Sequence, residues 1–359
     1  MSAFPFSDTV AEAQARFLAA AEAATALTEM HPHPLPGPDG EAIGAATAWL
    51  GDPAAGRLIA VISGVHGIEG FAGSAIQTAW LAGWEQPALP ADTALLFVHM
   101  VNPWGAAWDR RENEDNVDVF RNLAYRGPDY PANPFYAQHE AIINPRAVAG
   151  PEREAADAAF AALIAREGFA AVAAGIRKGQ HDFPRGMTFN GNGPTWSSAL
   201  VDGCGARLAA RAARIDVLDI HTGFGGPGEA LFIPSPRPGT PGHARAEHWF
   251  GGHLFHQGED AMIPAHPRAP FDSWMDLPQQ PEVTSIGLEF GTDGHHEDLE
   301  ELRAFSVHAN YGALGSSEAE PLRLWSREKF YPSSPAWRRA VLSAGVAAID
   351  RLVADPTPF

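Results

Sequence analysis

Cysteine is almost absent. Cys204 stands alone in 359 residues, which excludes an internal disulfide framework and a thiolate metal cluster and leaves histidine and carboxylate as the side chains able to hold a metal. Positive charge is scarce as well: 25 Lys and Arg stand against 43 Asp and Glu, a formal charge of -18. Nucleic acid and anionic membranes are bound through clustered cations that replace counterions, so neither is expected as a partner. Long apolar runs are lacking too. No stretch reaches the roughly 20 residues that a membrane-spanning helix needs. Residues 1–27 carry acids throughout, with no basic start followed by an apolar run; they read as a surface helix capped near Ser7 or Asp8, not as a leader. These absences predict a soluble, cytoplasmic protein whose partner is a small molecule or short peptide.

What is present is apolar and patterned. Hydrophobic residues make up 45% of the chain, enough for a sizeable core, and no repeat or linker-like boundary divides it, so residues 1–359 read as a single domain. Four short runs rich in β-branched or aromatic residues predict strands: RLIAVISGV (57–65), TALLFVHMV (93–101), RIDVLDIH (214–221) and VTSIGLEF (283–290). The first two flank FAGSAIQTAWLAG (71–83), whose apolar spacing suits a helix, giving a βαβ unit with parallel strands and hence an α/β fold. Helices are expected over the alanine-dense stretch 152–174 and over 336–354, both covering the sheet. Gly- and Pro-dense stretches at about 178–205 and 222–243 are too long for simple connections and read as active-site loops.

In an open α/β sheet ligands bind beyond the carboxyl ends of the strands, and four chemically able residues stand there. His66 and Glu69, in SGVHGIEGFAGS (63–74), close the first strand; His221 closes the third; Glu289 lies near the end of the fourth. Two histidines and a carboxylate around an open coordination position make a catalytic zinc set, and a further glutamate can deprotonate water. With 15 histidines, a His-x-x-Glu pair arises by chance on the order of once, and it does recur at His256–Glu259, beside His248 and His253. That second copy closes no strand, so a helix face explains it better. The glycines at 64, 67 and 70 do not follow the dinucleotide fingerprint, and the next strand ends in HMVNP with no acid for a ribose, which makes a dehydrogenase the weakest reading.

The ordered set HGIE (66–69), NPWG (102–105), RRENEDNVDVFRN (110–122), DIHTGFG (219–225) and LEFGT (288–292) resembles the zinc carboxypeptidase superfamily, which holds carboxypeptidase A, aspartoacylase and succinylglutamate desuccinylase. The nearest branch is a bacterial group known only as a domain of unknown function. The resemblance implies a mixed, mostly parallel twisted sheet with helices on both faces, of the phosphorylase/hydrolase-like kind, and one zinc ion. It makes His66, Glu69 and His221 the metal ligands and Glu289 the general base. Asp118 becomes the acceptor of the free ring N–H of His66. Arg110 or Arg111, with Arg111 preferred, polarises the scissile carbonyl, and Arg121 grips a substrate carboxylate; a surface salt bridge is the plain alternative for either arginine.

Two departures stand out. Phe120 occupies the place where the family has the asparagine that helps hold a terminal carboxylate, and no tyrosine occurs between Tyr136 and Tyr311, as in the acyl-amino-acid branch. Segment 178–198 has no counterpart in the digestive enzymes; Gln180, Arg185 and Asn190 are its polar candidates for substrate contact. DGHHED (293–298) reads as a solvated acidic loop in preference to a second ion site. The expected function is zinc-dependent hydrolysis of an amide bond in a small peptide ending in or near a carboxylate. An N-acyl amino acid amidohydrolase or esterase is the alternative, and a non-catalytic zinc-binding homologue the outside one.

Overall fold

In the computed structural model, residues 5–84, 89–124, 130–208, 211–256, 268–293 and 298–355 are described. Their strands are β1 (Leu27–Pro32), β2 (Gly44–Leu50), β3 (Arg57–Ser63), β4 (Thr93–His99), β5 (Arg214–Gly223), β6 (Ala230–Pro234) and β7 (Glu282–Gly291). They form one sheet in the order β1-β2-β4-β3-β5-β7-β6. The four strands anticipated from sequence are its centre and run parallel to one another. The three that were not anticipated flank them in antiparallel pairings, so the sheet is mixed.

Alternation along the strands divides the core. Ile59, Val61, Leu95, Phe97, Leu218 and Ile220 face one side, Leu58, Ala60, Ile62, Leu96, Val98 and Val217 the other, each within its own apolar cluster. The first face is covered by α1 (Val10–Ala23), α2 (Gly70–Ala82) and the C-terminal helix Pro335–Val353. Helix α2 lies unusually close, because a Cβ on Gly73 would come within 2.4 Å of the Ser63 Cβ. After the short α3 (Pro103–Ala107), α4 (Val119–Ala124) packs on the opposite face together with Trp196–Leu208 and Phe271.

Several expectations need correction. The first helix is capped by Thr9, not Ser7 or Asp8; the Thr9 side chain accepts from the Glu12 amide. The alanine-rich helix is broken at Gly168, whose φ of 86° ends α6 (Pro151–Glu167) and starts α7 (Phe169–Arg177). Nor does it cover the sheet. With α5 (Pro134–Ile143) it builds a third cluster around Tyr136, Phe160, Leu163 and Ile176, which holds no strand residue. The first long loop ends where α8 (Trp196–Leu208) begins, and the second contains β6 and the start of α9 (Pro241–Phe250). The remaining helices are α10 (Leu299–Tyr311), α11 (Glu320–Phe330) and α12 (Pro335–Val353). No single helix among the described residues is long and apolar enough to cross a membrane.

Candidate metal centre and its cavity

From β3 the chain runs through His66 and enters α2 at Glu69, its first flanking residue. Gly67 has no substitute in that turn: a Cβ there would lie 2.3 Å from the Ala106 amide and 2.5 Å from the Arg110 carbonyl. The same closeness lets the Gly67 amide donate to the Arg111 carbonyl at 3.0 Å and Ile68 to Arg110 at 2.8 Å. The turn carrying the histidine and glutamate is thereby stitched to the arginine doublet. On the neighbouring strands, His221 and Glu289 are direct register partners of β5 and β7. They belong to one pleat level of the sheet.

Long-range packing brings the three proposed ligands together. One donor atom each from His66, Glu69 and His221 lies within 4.8 Å of the others, and all three residues are buried. The imidazoles share an arrangement. Nδ1 of each is 3.0 Å from a Glu69 carboxylate oxygen, and Nε2 meets an acid on the far side, Asp118 at 3.3 Å for His66 and Asp219 at 2.7 Å for His221. With Nε2–H held by a carboxylate, giving up the Nδ1 proton would leave a lone pair directed at the cluster centre, as a metal-ligating histidine requires. Asp219 was not singled out from sequence, although Asp-x-His on a strand puts both side chains on one face.

Electrostatics are strong because little water reaches these groups. Burial works against a charged His221, but Asp219 and Glu69 together hold its ring well above the usual histidine range. Burial would raise Asp118, yet the guanidinium of Arg121 and the neighbouring His66 hold it well below the usual carboxylate range. Glu289 lines the cavity and accepts a 2.9 Å hydrogen bond from the Phe224 amide. Burial, reinforced by the charge on Glu69, pushes its carboxyl up to about 7.

The arginine doublet divides. Arg111 donates to Glu69 Oε1 at 2.8 Å and to His66 Nδ1 at 3.1 Å and lines the cavity. Arg110 turns away, bonded to Asn116 at 2.7 Å and Glu112 at 3.3 Å, so as a carbonyl-polarising candidate it is withdrawn. Arg121 also lines the cavity, with Nη1 on Asp118 and Nη2 on the Arg177 carbonyl at 2.6 Å. Phe120 packs its ring against both histidines of the cluster, 5.4 Å from His221 and 6.0 Å from His66.

None of the three polar candidates of segment 178–198 lines the cavity. Gln180 bonds within its own loop, to the Phe183 amide and carbonyl. Arg185 is exposed and lies over the Tyr311 ring, and Asn190 is buried with its carbonyl holding Asn122. Thr188, on the same segment, is the residue that reaches the cavity; hydrophobic patterning gave no signal for it. Of the second His-x-x-Glu pair, His256 stacks on His243 at 5.3 Å while Glu259 lies outside the described residues, as do positions 294–297 of the acidic loop. Among the described residues, the His66 group is the one cluster with metal-ligand spacing.

Solved structures similar to this chain include bovine thrombin-activatable fibrinolysis inhibitor in complex with tick carboxypeptidase inhibitor, at 10% identity over 98% of this chain and 97% of that one with a TM-score of 0.49. Carboxypeptidase A from Helicoverpa armigera aligns at 12% identity over 96% and 75% with a TM-score of 0.44. The succinylglutamate desuccinylase from Chromobacterium violaceum aligns at 16% over 84% and 77% with a TM-score of 0.37. No curated protein matches the sequence. Residues 6–344 match the family model described as protein of unknown function DUF2817, and the chain belongs to that family.

Proposed function

We propose that this chain is a zinc-dependent hydrolase that cleaves an amide bond in a small peptide. The observation that carries the reading is the His66–Glu69–His221 set, with both imidazoles backed by carboxylates and Glu289 across the strand pair from His221. The donor chemistry fits the ion: two imidazole nitrogens and a carboxylate are a zinc set. The immediate surroundings fit its charge, since three carboxylates, Glu69, Asp118 and Asp219, lie against the two imidazoles. Bound there, zinc supplies a Lewis acid that acidifies water and polarises a carbonyl.

The chain's own groups do the rest. Glu289, pushed up to about 7, is poised to take a proton from water near neutrality and return it to the leaving nitrogen. The acyl–nitrogen bond breaks, the water oxygen joins the acyl carbon, and the amine departs with the proton. Arg111, at the border of cluster and cavity, is placed to meet negative charge growing on the carbonyl oxygen. A deacylase or esterase on the same site is the second reading, favoured by Phe120 and by the attachment of Arg121 to Asp118.

Metal content by mass spectrometry, with hydrolysis of a peptide and acyl-amino-acid library on the same samples, tests the proposal. Wild type should hold about one zinc per chain, as three-ligand catalytic sites do. His66→Ala should lose it, and Glu289→Gln should keep it while losing turnover. Full metal retention by His66→Ala would overturn the assignment.

A further inference from the structure

Arg111 borders a second, smaller space. It has a volume of ≈ 50 Å³, against ≈ 210 Å³ for the cavity beside the metal cluster, and the two share Arg111, Arg177, Thr188, Leu302 and Phe330 as a common wall. Most of the smaller chamber's lining is buried, Ile176, Leu299, Phe305 and Ser306 included. Charges inside it are therefore weakly screened.

Those charges do not balance. Arg110, Arg111 and Arg177 line the chamber, with Glu112 as the one carboxylate among its described lining. The Glu69 oxygen that Arg111 meets belongs to the metal cluster, where an ion would take up its charge, so it gives the chamber no lasting compensation. Arg110 is the most telling member. It is 3% exposed, and its side-chain hydrogen bonds, to Asn116 at 2.7 Å and Glu112 at 3.3 Å, both leave from Nη2. Nε and Nη1 have no acceptor among the described residues. The Trp104 ring, 6.0 Å from the guanidinium carbon, supplies attraction but no lone pair. Burial pulls this guanidinium below the ordinary arginine range, and the Glu112 charge restores only part of the shift. A buried cation short of acceptors is unfavourable unless an opposite charge joins it.

We propose that the chamber binds one small planar oxyanion from solution, of the formate or bicarbonate class, with Arg110 as its principal partner and Arg177 as the second. The size fits: a water takes roughly 10–15 Å³ of such volume, so the chamber has room for about three to five atoms of that size and nothing longer. The shape fits as well, because guanidinium N–H groups lie in one plane and match the oxygens of a planar anion. Bound there, the anion offsets the mutual repulsion of three guanidiniums, one of which is Arg111 at the border of the metal cluster. This goes beyond the hydrolase reading and does not rest on it.

The test is equilibrium dialysis of the full chain against radiolabelled formate, at constant ionic strength with gluconate, an anion too large for the chamber, as the balancing salt. Wild type should bind formate saturably, and His66→Ala, which removes a proposed metal ligand, should bind it within threefold of wild type. Arg110→Gln should raise the dissociation constant at least tenfold and Arg177→Gln at least threefold. Ser306→Leu, which fills the chamber from α10, should abolish binding and serves if Arg110→Gln does not fold. Absence of saturable binding overturns the proposal. So does binding that is lost in His66→Ala but kept in Arg110→Gln, since the anion would then sit on the metal. Acetylglycine should not displace formate; displacement by it at equal concentration would give the site to a substrate carboxylate and overturn the assignment to a free anion. The readout is binding, so binding as expected in a protein without turnover would remove the hydrolase reading and leave the anion site standing.

Discussion

The same two central strands carry buried charge at both ends, and the two ends behave differently. Where β3 and β5 begin, Arg57 donates to Asp216 at 2.9 Å, and Arg214 bonds Asp216 at 3.0 Å and Asp355 at 2.7 Å. The remaining Arg57 nitrogens hold the Leu352 and Asp355 carbonyls at the end of α12. Two arginines balance two aspartates, and the network closes on itself. Where the same strands end, carboxylates exceed guanidiniums, two histidines face a common centre, and a cavity opens beside them. Buried charge alone therefore does not mark a functional site. Imbalance next to accessible space is what makes the other end a candidate.

Mutations at the two ends should separate cleanly. Asp216→Ala leaves two buried guanidiniums without their shared carboxylate, so urea unfolding should show a loss of about 3–5 kcal/mol while the zinc content of the folded fraction stays unchanged. If stability holds, the closed network is not what fastens α12 to the sheet. At the other end, Glu289→Gln should lower kcat by about 10²–10⁴-fold with the midpoint of thermal unfolding unmoved; retained activity would remove Glu289 as the base. Asp219→Asn keeps the shape but weakens the acceptor behind His221, so competition with a chelator should show zinc affinity reduced about 10–100-fold. An unchanged affinity would mean that the carboxylate does not orient the ring.

A third histidine sharpens the contrast on a smaller scale. His99 ends β4, fully buried, stacked on Phe17 with Nε2 2.8 Å from the Ser74 hydroxyl. Without a carboxylate beside it, burial pushes its pKa down to about 3 from 6.5. Below pH 6.5 the unfolded chain binds a proton there that the folded chain refuses. Stability is thus full above pH 6.5 and declines by about 1.4 kcal/mol per unit as pH falls toward 3. His99→Gln should remove that part of the slope in unfolding titrations between pH 6.5 and 5. Equal slopes in the two proteins would show that His99 does not stay neutral in the fold.

Much of the fold was legible because the central strands are continuous apolar runs. β3 and β4 are buried along their whole length, so burial on both faces is written into their composition. The flanking strands were not: β1 is exposed at most positions, β2 reads GAATAWL, and β6 is five residues inside a Gly- and Pro-rich stretch. Their pairing comes from neighbours more than from their own propensity. The break at Gly168 was missed because alanine density hid a single left-handed residue.

By itself the sequence determined the central strands, the residues standing at their ends, and the restriction of any metal to histidine and carboxylate, because each follows from local pattern or from composition. Only the tertiary structure decided which candidates meet. It chose Arg111 over Arg110, supplied Asp219 and Thr188, and turned Gln180, Arg185 and Asn190 away from the cavity. The physical reason is that a strand end fixes where a side chain starts, whereas its partners are set by contacts between segments tens to hundreds of residues apart. No local periodicity records those contacts.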